Sequence, residues 1–297
     1  MLKQIIFLLK SDKSPYMRSI VADINYLNEK FRENGVEVSY LLGDGIGELV
    51  LADDQGRSSL QGSSVERQNT LFLADDAQTL NKMLEAGFYT IALQHDLNNR
   101  ADLQQALYAM SEIRYLDFDS FLKAYERLAG LPWHILDTKR LTVRETTIED
   151  VDDFYRIYKD PLITQHMAPM MEIDKEREYA AEYIRTIYNF YGHGIWTVTL
   201  KETGEVIGRA GISWREGFRY PELGFVIARD HQCKGYAEEV LRAILELAKN
   251  VLEFDVVQAL IHPENIVSMK LCKKLGFKEE GVVCLREQEH LLYIIEL

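Results

Sequence analysis

An apolar run of strand length, Glu222-Leu223-Gly224-Phe225-Val226-Ile227-Ala228, leads through His231-Gln232-Cys233-Lys234-Gly235-Tyr236-Ala237 into Val240, Leu241, Ile244, Leu245, Ala248, Val251 and Leu252, which recur at helical spacing. Strand, short glycine-bearing turn and helix, in that order, restrict the fold more than any other stretch of the chain. Such a turn aims several backbone N–H groups and the positive end of the helix dipole at one point in space. Phosphate is the natural occupant of that point. Gly235 lets the backbone come close to a ligand, and small Ala237 keeps the first helical turn uncrowded. Taken alone, Gln-x-x-Gly-x-Ala also fits an ordinary strand-to-helix turn.

The 297 residues are enough for two domains, each with its own core. Residues 1–131 alternate strands and helices and read as a small Rossmann-like parallel α/β domain. Gln4–Leu9 is a strand. A helix opening at Ser14 or Pro15 shows an apolar face of Met17, Ile20, Val21, Ile24, Leu27 and Phe31 and closes at Asn34-Gly35. Val36–Leu41, Thr70–Ala74 and Phe88–Leu93 are further strands, with turns or loops at Gly43–Gly47 and Asp53–Ser64. Helices are expected after Asp75-Asp76 as far as Glu85, over Ala101–Ile113 and over Phe118–Leu128. Residues 132–139 read as a linker.

The Ala74-Asp75-Asp76 step, followed by helix, Gly87 and strand, resembles the later part of a haloacid-dehalogenase-type phosphatase, in which acids at a strand end hold Mg²⁺. The nucleophile signature of that family belongs after the first strand, where this chain has Lys10-Ser11-Asp12. A degenerate or structural domain is therefore the expectation, with a phosphatase-like Mg²⁺ site as its rival. Asp75 and Asp76 equally suit a helix N-cap and first-turn acid.

From Arg140 a second domain is expected. It has strand Leu141–Arg144, helices Val151–Tyr158 and Asp174–Tyr191, and strands Ile195–Leu200 and Val206–Trp214 joined by a hairpin at Glu202–Glu205. The strand, turn and helix of the opening follow. Strand Val256–Ile261, helix Ile266–Leu275 and terminal strands Phe277–Leu285 and His290–Ile295 complete it. Four pieces carry a resemblance to the GNAT superfamily of acetyl-CoA-dependent N-acetyltransferases over residues 140–297, nearest its ribosomal-protein N-terminal branch: Arg140–Glu145, Glu202–Gly208, Glu222–Ala237, and Asn265–Ser268 with Leu271–Phe277. The resemblance implies a mixed-sheet α+β domain.

It also implies residue roles. The backbone of Gln232, Cys233, Lys234, Gly235, Tyr236 and Ala237 would bind the diphosphate of coenzyme A. Val226 and Ile227 would pair with the amides of the pantetheine arm as an added strand does. Asn265 would contact the cofactor, or cap the helix at Ile266, or both. Glu222 stands where relatives place a catalytic carboxylate. Cys272 stands where many place a tyrosine acid, so a thiol acid or a buried filler are both open readings. Attack requires a neutral amine. Roughly one lysine-like amine in a few thousand is neutral at pH 7, against about one α-amine in ten, so a base matters far more for the former. Acceptor contacts are sought among His166, Met167, Met170, Met171, Tyr191, His193, Trp196, Trp214 and Phe218.

The implied activity is direct transfer of an acetyl group from acetyl-CoA to a primary amine of a small molecule or peptide N-terminus. A non-catalytic acyl-CoA-binding or sensory module is the alternative. The net charge of −13 has no basic stripe, which argues against nucleic acid and mildly for a cationic partner. Cysteines 233, 272 and 284 make no disulfide framework and suit a reducing, cytoplasmic setting. The Ile5–Leu9 run is too short for a signal core or membrane span. No metal is expected, because no cluster has ligand spacing along the sequence. The oligomeric state is not legible.

Overall fold

The computed structural model describes residues 1–10, 15–43, 57–60, 63–98, 100–167, 169–285 and 287–297, and the chain divides into two units, Met1–Leu131 and Pro132–Leu297. Of the expected turns, residues 44–47, 53–56 and 61–62 lie outside the described residues, as do Ser11 and Asp12 after the first strand.

In the first unit, β1 (Gln4–Leu9) leads through α1 (Pro15–Phe31) to β2 (Glu37–Leu42), and Gly35 takes the left-handed conformation at the helix end. A hairpin of β3 (Arg57–Leu60) and β4 (Ser63–Glu66) stands where a loop was expected. Then come β5 (Thr70–Ala74), α2 (Ala77–Glu85), β6 (Thr90–Leu93), β7 (Ala109–Met110) and α3 (Phe118–Leu128). The five-stranded sheet runs β2-β1-β5-β6-β7, parallel throughout. Pleat alternation sends Ile5, Phe7 and Leu9 to one face, against Ile24 and Leu27 of α1 and Phe121 of α3. Ile6 and Leu8 go to the other, against Leu80 and Met83 of α2. The helix expected over Ala101–Ile113 does not form. A 3₁₀ turn at Arg100–Leu103 gives way to β7, because backbone pairing with β6 takes Ala109 and Met110 into the sheet.

The second unit opens with β8 (His134–Asp137), which pairs antiparallel with β9 (Leu141–Arg144). The stretch 132–139 is thus an edge of the second sheet rather than a free linker. There follow α4 (Asp150–Tyr158), α5 (Pro161–Thr164), α6 (Ile173–Tyr183), a π-helical turn at Ile184–Tyr188, and α7 (Asn189–Tyr191). Strands β10 (Ile195–Leu200), β11 (Val206–Ser213) and β12 (Glu222–Ile227) come next. The unit ends with α8 (Tyr236–Asn250), β13 (Val256–Ile261), α9 (Ile266–Leu275), β14 (Lys278–Leu285) and β15 (Gln288–Glu296). The eight-stranded sheet has the order β14-β15-β13-β12-β11-β10-β9-β8. All neighbours are antiparallel except β12 and β13.

The apolar stripe of α8 (Val240, Leu241, Ile244, Leu245) joins the main core, while Phe154, Ile157 and Tyr158 of α4 gather with Val206, Val226 and Ala228. The start of α4 is fixed by Asp150, which accepts both guanidinium bonds of Arg144 (2.6 and 2.7 Å), the Thr147 N–H and the Thr197 hydroxyl. Burial opposes the Asp150 charge, yet these bonds hold its carboxyl below the usual value. Among the described residues no helix is long and apolar enough to cross a membrane.

Candidate active site

Strands β12 and β13 share a single ladder pair, Glu222 with Gln258, and then part. Each is fully engaged on its other side, β12 by β11 along its whole length and β13 by β15. A parallel pair that parts in this way leaves backbone donors and acceptors of two central strands facing an open gap, where an extended chain bearing amides can pair as a strand would.

At the end of β12 the chain makes a 3₁₀ turn over Arg229–His231 and then the turn expected to bind phosphate. Cys233 (φ 58°) and Gly235 (φ 81°) both take left-handed conformations, and Gly235 is the N-cap of α8 without any side-chain cap bond. The N–H groups that open α8 therefore keep their capacity for an outside acceptor. Acids in the first turn would repel an anion, but both are neutralised. Glu238 pairs with Arg242 and Lys274. Glu239 accepts from the Thr138 hydroxyl (2.6 Å), the Arg140 backbone N–H (2.8 Å) and Arg140 Nε (2.7 Å).

Arg140 does more than pair. Its Nη1 donates to the Lys234 carbonyl at 3.0 Å, and its guanidinium lies 4.3 Å from the centre of the Tyr236 ring. Arg140 thus braces the turn from the start of β9. The Gln232 side chain ties the other end down by donating to the Ile227 carbonyl at 2.9 Å.

Against the opposite side of β12 lies a cavity of about 310 Å³, at the small end of ligand-binding volumes. Glu222, Gly224 and Val226 line its floor, Phe154 and Tyr158 of α4 one wall, and Tyr183 of α6 another. Burial pushes the Tyr183 hydroxyl up to about 12, and it accepts the Ile195 N–H. Glu222 presents both oxygens to Arg215, one of them to Nη2 at 2.9 Å and the other to Nε. That fork raises the pKa of Arg215.

The acetyltransferase (GNAT) domain family matches residues 140–278. An uncharacterized N-acetyltransferase of Bacillus licheniformis, p20, is 32% identical over 161 residues, which is 52% of this chain and 86% of its own. The chain belongs to the GNAT acetyltransferases. Another relative, the uncharacterized N-acetyltransferase YoaA of Bacillus subtilis, is 28% identical over 50% of this chain and 85% of its own. An acetyltransferase structure from Agrobacterium tumefaciens aligns over 55% of this chain and 94% of its own, with 25% identity and a TM-score of 0.49. The protein is an N-acetyltransferase with acetyl-CoA as co-substrate.

Seen as a GNAT domain, the structure brings Val226, Ile227 and Gln232 through Ala237 to one end of the β12–β13 gap. Asn265 is the N-cap of α9, its side-chain oxygen accepting the Ser268 N–H at 3.1 Å. Cys272 does not suit an acid role. It is 1% exposed within the main core, and burial pushes its thiol up to about 12. It is a small apolar filler.

Of the acceptor candidates, Met167 and Met170 line the 310 Å³ cavity, whereas Trp196 is buried in the core. Tyr191, His193 and Trp214 border a second cavity of about 630 Å³. His166 instead stacks on His262 at 5.0 Å, and with Glu264 offers ligand atoms within 4.8 Å of one another. Spacing along the sequence hides this group. The Glu264 N–H donates to His262 Nδ1 at 3.2 Å, so with that bond kept the ring would meet a cation through Nε2 only on losing a proton there. The contacts of Arg140 and Arg209 leave no mark in the sequence, since their partners lie tens of residues away, and the Arg215–Glu222 pair, only seven residues apart, matches no motif.

The metal role suggested for the first unit is not supported. Asp76 is the N-cap of α2, accepting from the Gln78 and Thr79 N–H groups. Asp75 is buried, and its oxygens take the Lys10 N–H (2.8 Å) and His95 Nε2 (3.3 Å).

Proposed function

We propose that the enzyme moves an acetyl group directly from acetyl-CoA to the primary amine of a small molecule or peptide N-terminus, without an acyl-enzyme. The parting of β12 from β13 beside an uncapped helix start carries this reading. Diphosphate on the Gln232–Ala237 turn and pantetheine amides against the Val226–Ile227 backbone direct the thioester toward Gly224 and Val226, which the cavity reaches from the other side. Cofactor and amine then meet across one strand, and orientation supplies much of the rate. The amine nitrogen bonds to the thioester carbon, the C–S bond breaks with its electron pair going to sulfur, and the amine proton leaves.

Glu222 is the proposed acceptor of that proton, through water, because Arg215 holds both its oxygens. A carboxylate so engaged suits an α-amine, of which about one in ten is already neutral at pH 7, better than a lysine-like amine. Solvent protonates the thiolate, Cys272 being buried in the core. Thiol release measured over peptides, polyamines and amino sugars tests the reading. We expect turnover with a subset of amines, and a loss of about 10²-fold in kcat for Glu222→Gln, of the order a base supplies. Tight coenzyme A binding with no turnover on any amine would overturn it.

A further inference from the structure

Two arginines and two glutamates line the cavity, but only one of each is joined in an ion pair. Arg215 and Glu222 neutralise each other. Glu176 gives one oxygen to the Met171 N–H at 2.7 Å. Arg209, at the middle of β11, projects into the same cavity, half-buried, and has no carboxylate partner among the described residues. Its Nε donates to the Tyr158 hydroxyl at 2.9 Å, and its guanidinium lies 4.9 Å from the Tyr158 ring centre and 5.3 Å from that of Phe154. The rings and the hydroxyl fix the plane of the guanidinium and leave its terminal N–H donors without a hydrogen-bond partner among the described residues. A half-buried cation with open, pre-oriented donors is costly unless an anion completes it, and the planar fork matches a carboxylate in particular.

Resting on the direct-transfer reading above, we infer that Arg209 anchors a carboxylate of the amine acceptor, so that the substrate is a small amino acid-like molecule whose amine and carboxylate stand well apart. The register sets that separation. Arg209 is opposite Val226 and Ser213 opposite Glu222, so the levels of the anchor and of the proton acceptor differ by roughly 13 Å along the strand at about 3.4 Å per residue. The amine, attacking between them near Gly224, lies about half that distance from the anchor. Amine and carboxylate of one α-amino acid are too close to span it, whereas a dipeptide or an ω-amino acid reaches. A cavity of about 310 Å³ has room for such a molecule.

The test uses matched pairs that differ only in the carboxylate: leucylglycine with its C-terminal amide, and 6-aminohexanoic acid with its amide. The amine of each pair is nearly the same, so its proton affinity does not confound the comparison. In the full-length protein the free acids are expected to be acetylated with kcat/KM about 10- to 100-fold above their amides, through KM, the range of a charged hydrogen-bonded contact. Arg209→Met, which keeps apolar volume beside the rings, erases the preference; Arg209→Lys restores part of it. Saturation-transfer NMR with coenzyme A present reads acid against amide binding without turnover, so a silent chemical step leaves the anchor testable. The dipeptide arm against the ω-amino acid arm separates the two sources of carboxylate. Equal handling of acid and amide by the wild type would overturn the inference. So would an Arg209→Met loss that falls equally on both through kcat, the mark of a guanidinium acting on the transition state.

Discussion

Two strand ends in this chain face the same physical problem and solve it in opposite ways. At β5 the crevice between adjacent parallel strands is filled from within: Asp75 takes the Lys10 N–H and His95, and Asp76 caps α2 by accepting two of its N–H groups. At β12 the following helix starts on a left-handed glycine with no side-chain cap, and its nearby acids are turned aside by Arg140, Arg242 and Lys274. Parallel strands followed by helices favour a ligand at either place. What decides is whether the chain spends its own carboxylates on the open N–H groups. In the first unit it does; in the second, no side chain caps the N–H groups that open α8.

The contrast breaks most sharply at Gly235. Gly235→Val forces a β-branched residue into φ 81° and should weaken coenzyme A binding by about 2 kcal/mol, roughly 30-fold in Kd by titration calorimetry. An unchanged Kd would mean that the turn is not the diphosphate site. Next comes Arg140→Met, which removes the bond to the Lys234 carbonyl and the stack on Tyr236. About tenfold weaker binding is expected, since an anion site loses its brace while the N–H groups remain.

The third change works on the other strand end. Asp76→Ala takes away the α2 cap and should cost about 1 kcal/mol of stability in urea unfolding, with coenzyme A affinity unmoved. A matching fall in affinity would contradict the division of roles. The smallest effect is a pH dependence. Burial raises the Asp75 pKa, against the opposing Lys10 and His95 bonds. A raised acid favours the fold while protonated, below the ordinary value near 3.8, and that advantage is lost as pH rises through the raised folded value. The unfolding free energy of Asp75→Asn minus that of the wild type should therefore rise as pH increases from about 4; a difference that falls with rising pH would count against the burial argument.

Much of the fold was legible because its signals are local. Gln4–Leu9, Thr70–Ala74, Phe118–Leu128, Val256–Ile261 and Ile266–Leu275 are read off apolar runs bounded by caps and glycines, and the structure has the same bounds. Where pairing outweighs propensity the reading fails. His134–Asp137 is an edge strand only because β9 lies beside it, and Ala109–Met110 is drawn from a helical pattern into the sheet by β6. The active site divides along the same line. Gln232–Ala237 is a continuous turn and shows itself in sequence. Arg140 acts on a turn 94 residues further on, Arg209 meets Tyr158 51 residues back, and Cys272 looks exposed to chemistry until the fold buries it. Contacts of that range leave no periodicity and no motif.

The central claim is that the second strand end, and not the first, holds the anionic part of acetyl-CoA. Backbone amide shifts of the full-length, isotope-labelled protein on addition of coenzyme A test it most directly. The largest shifts are predicted at Cys233 through Glu238, with the amides of Asp75 through Gln78 unmoved. Shifts centred on residues 75–98, with Cys233 through Glu238 unperturbed, would contradict it.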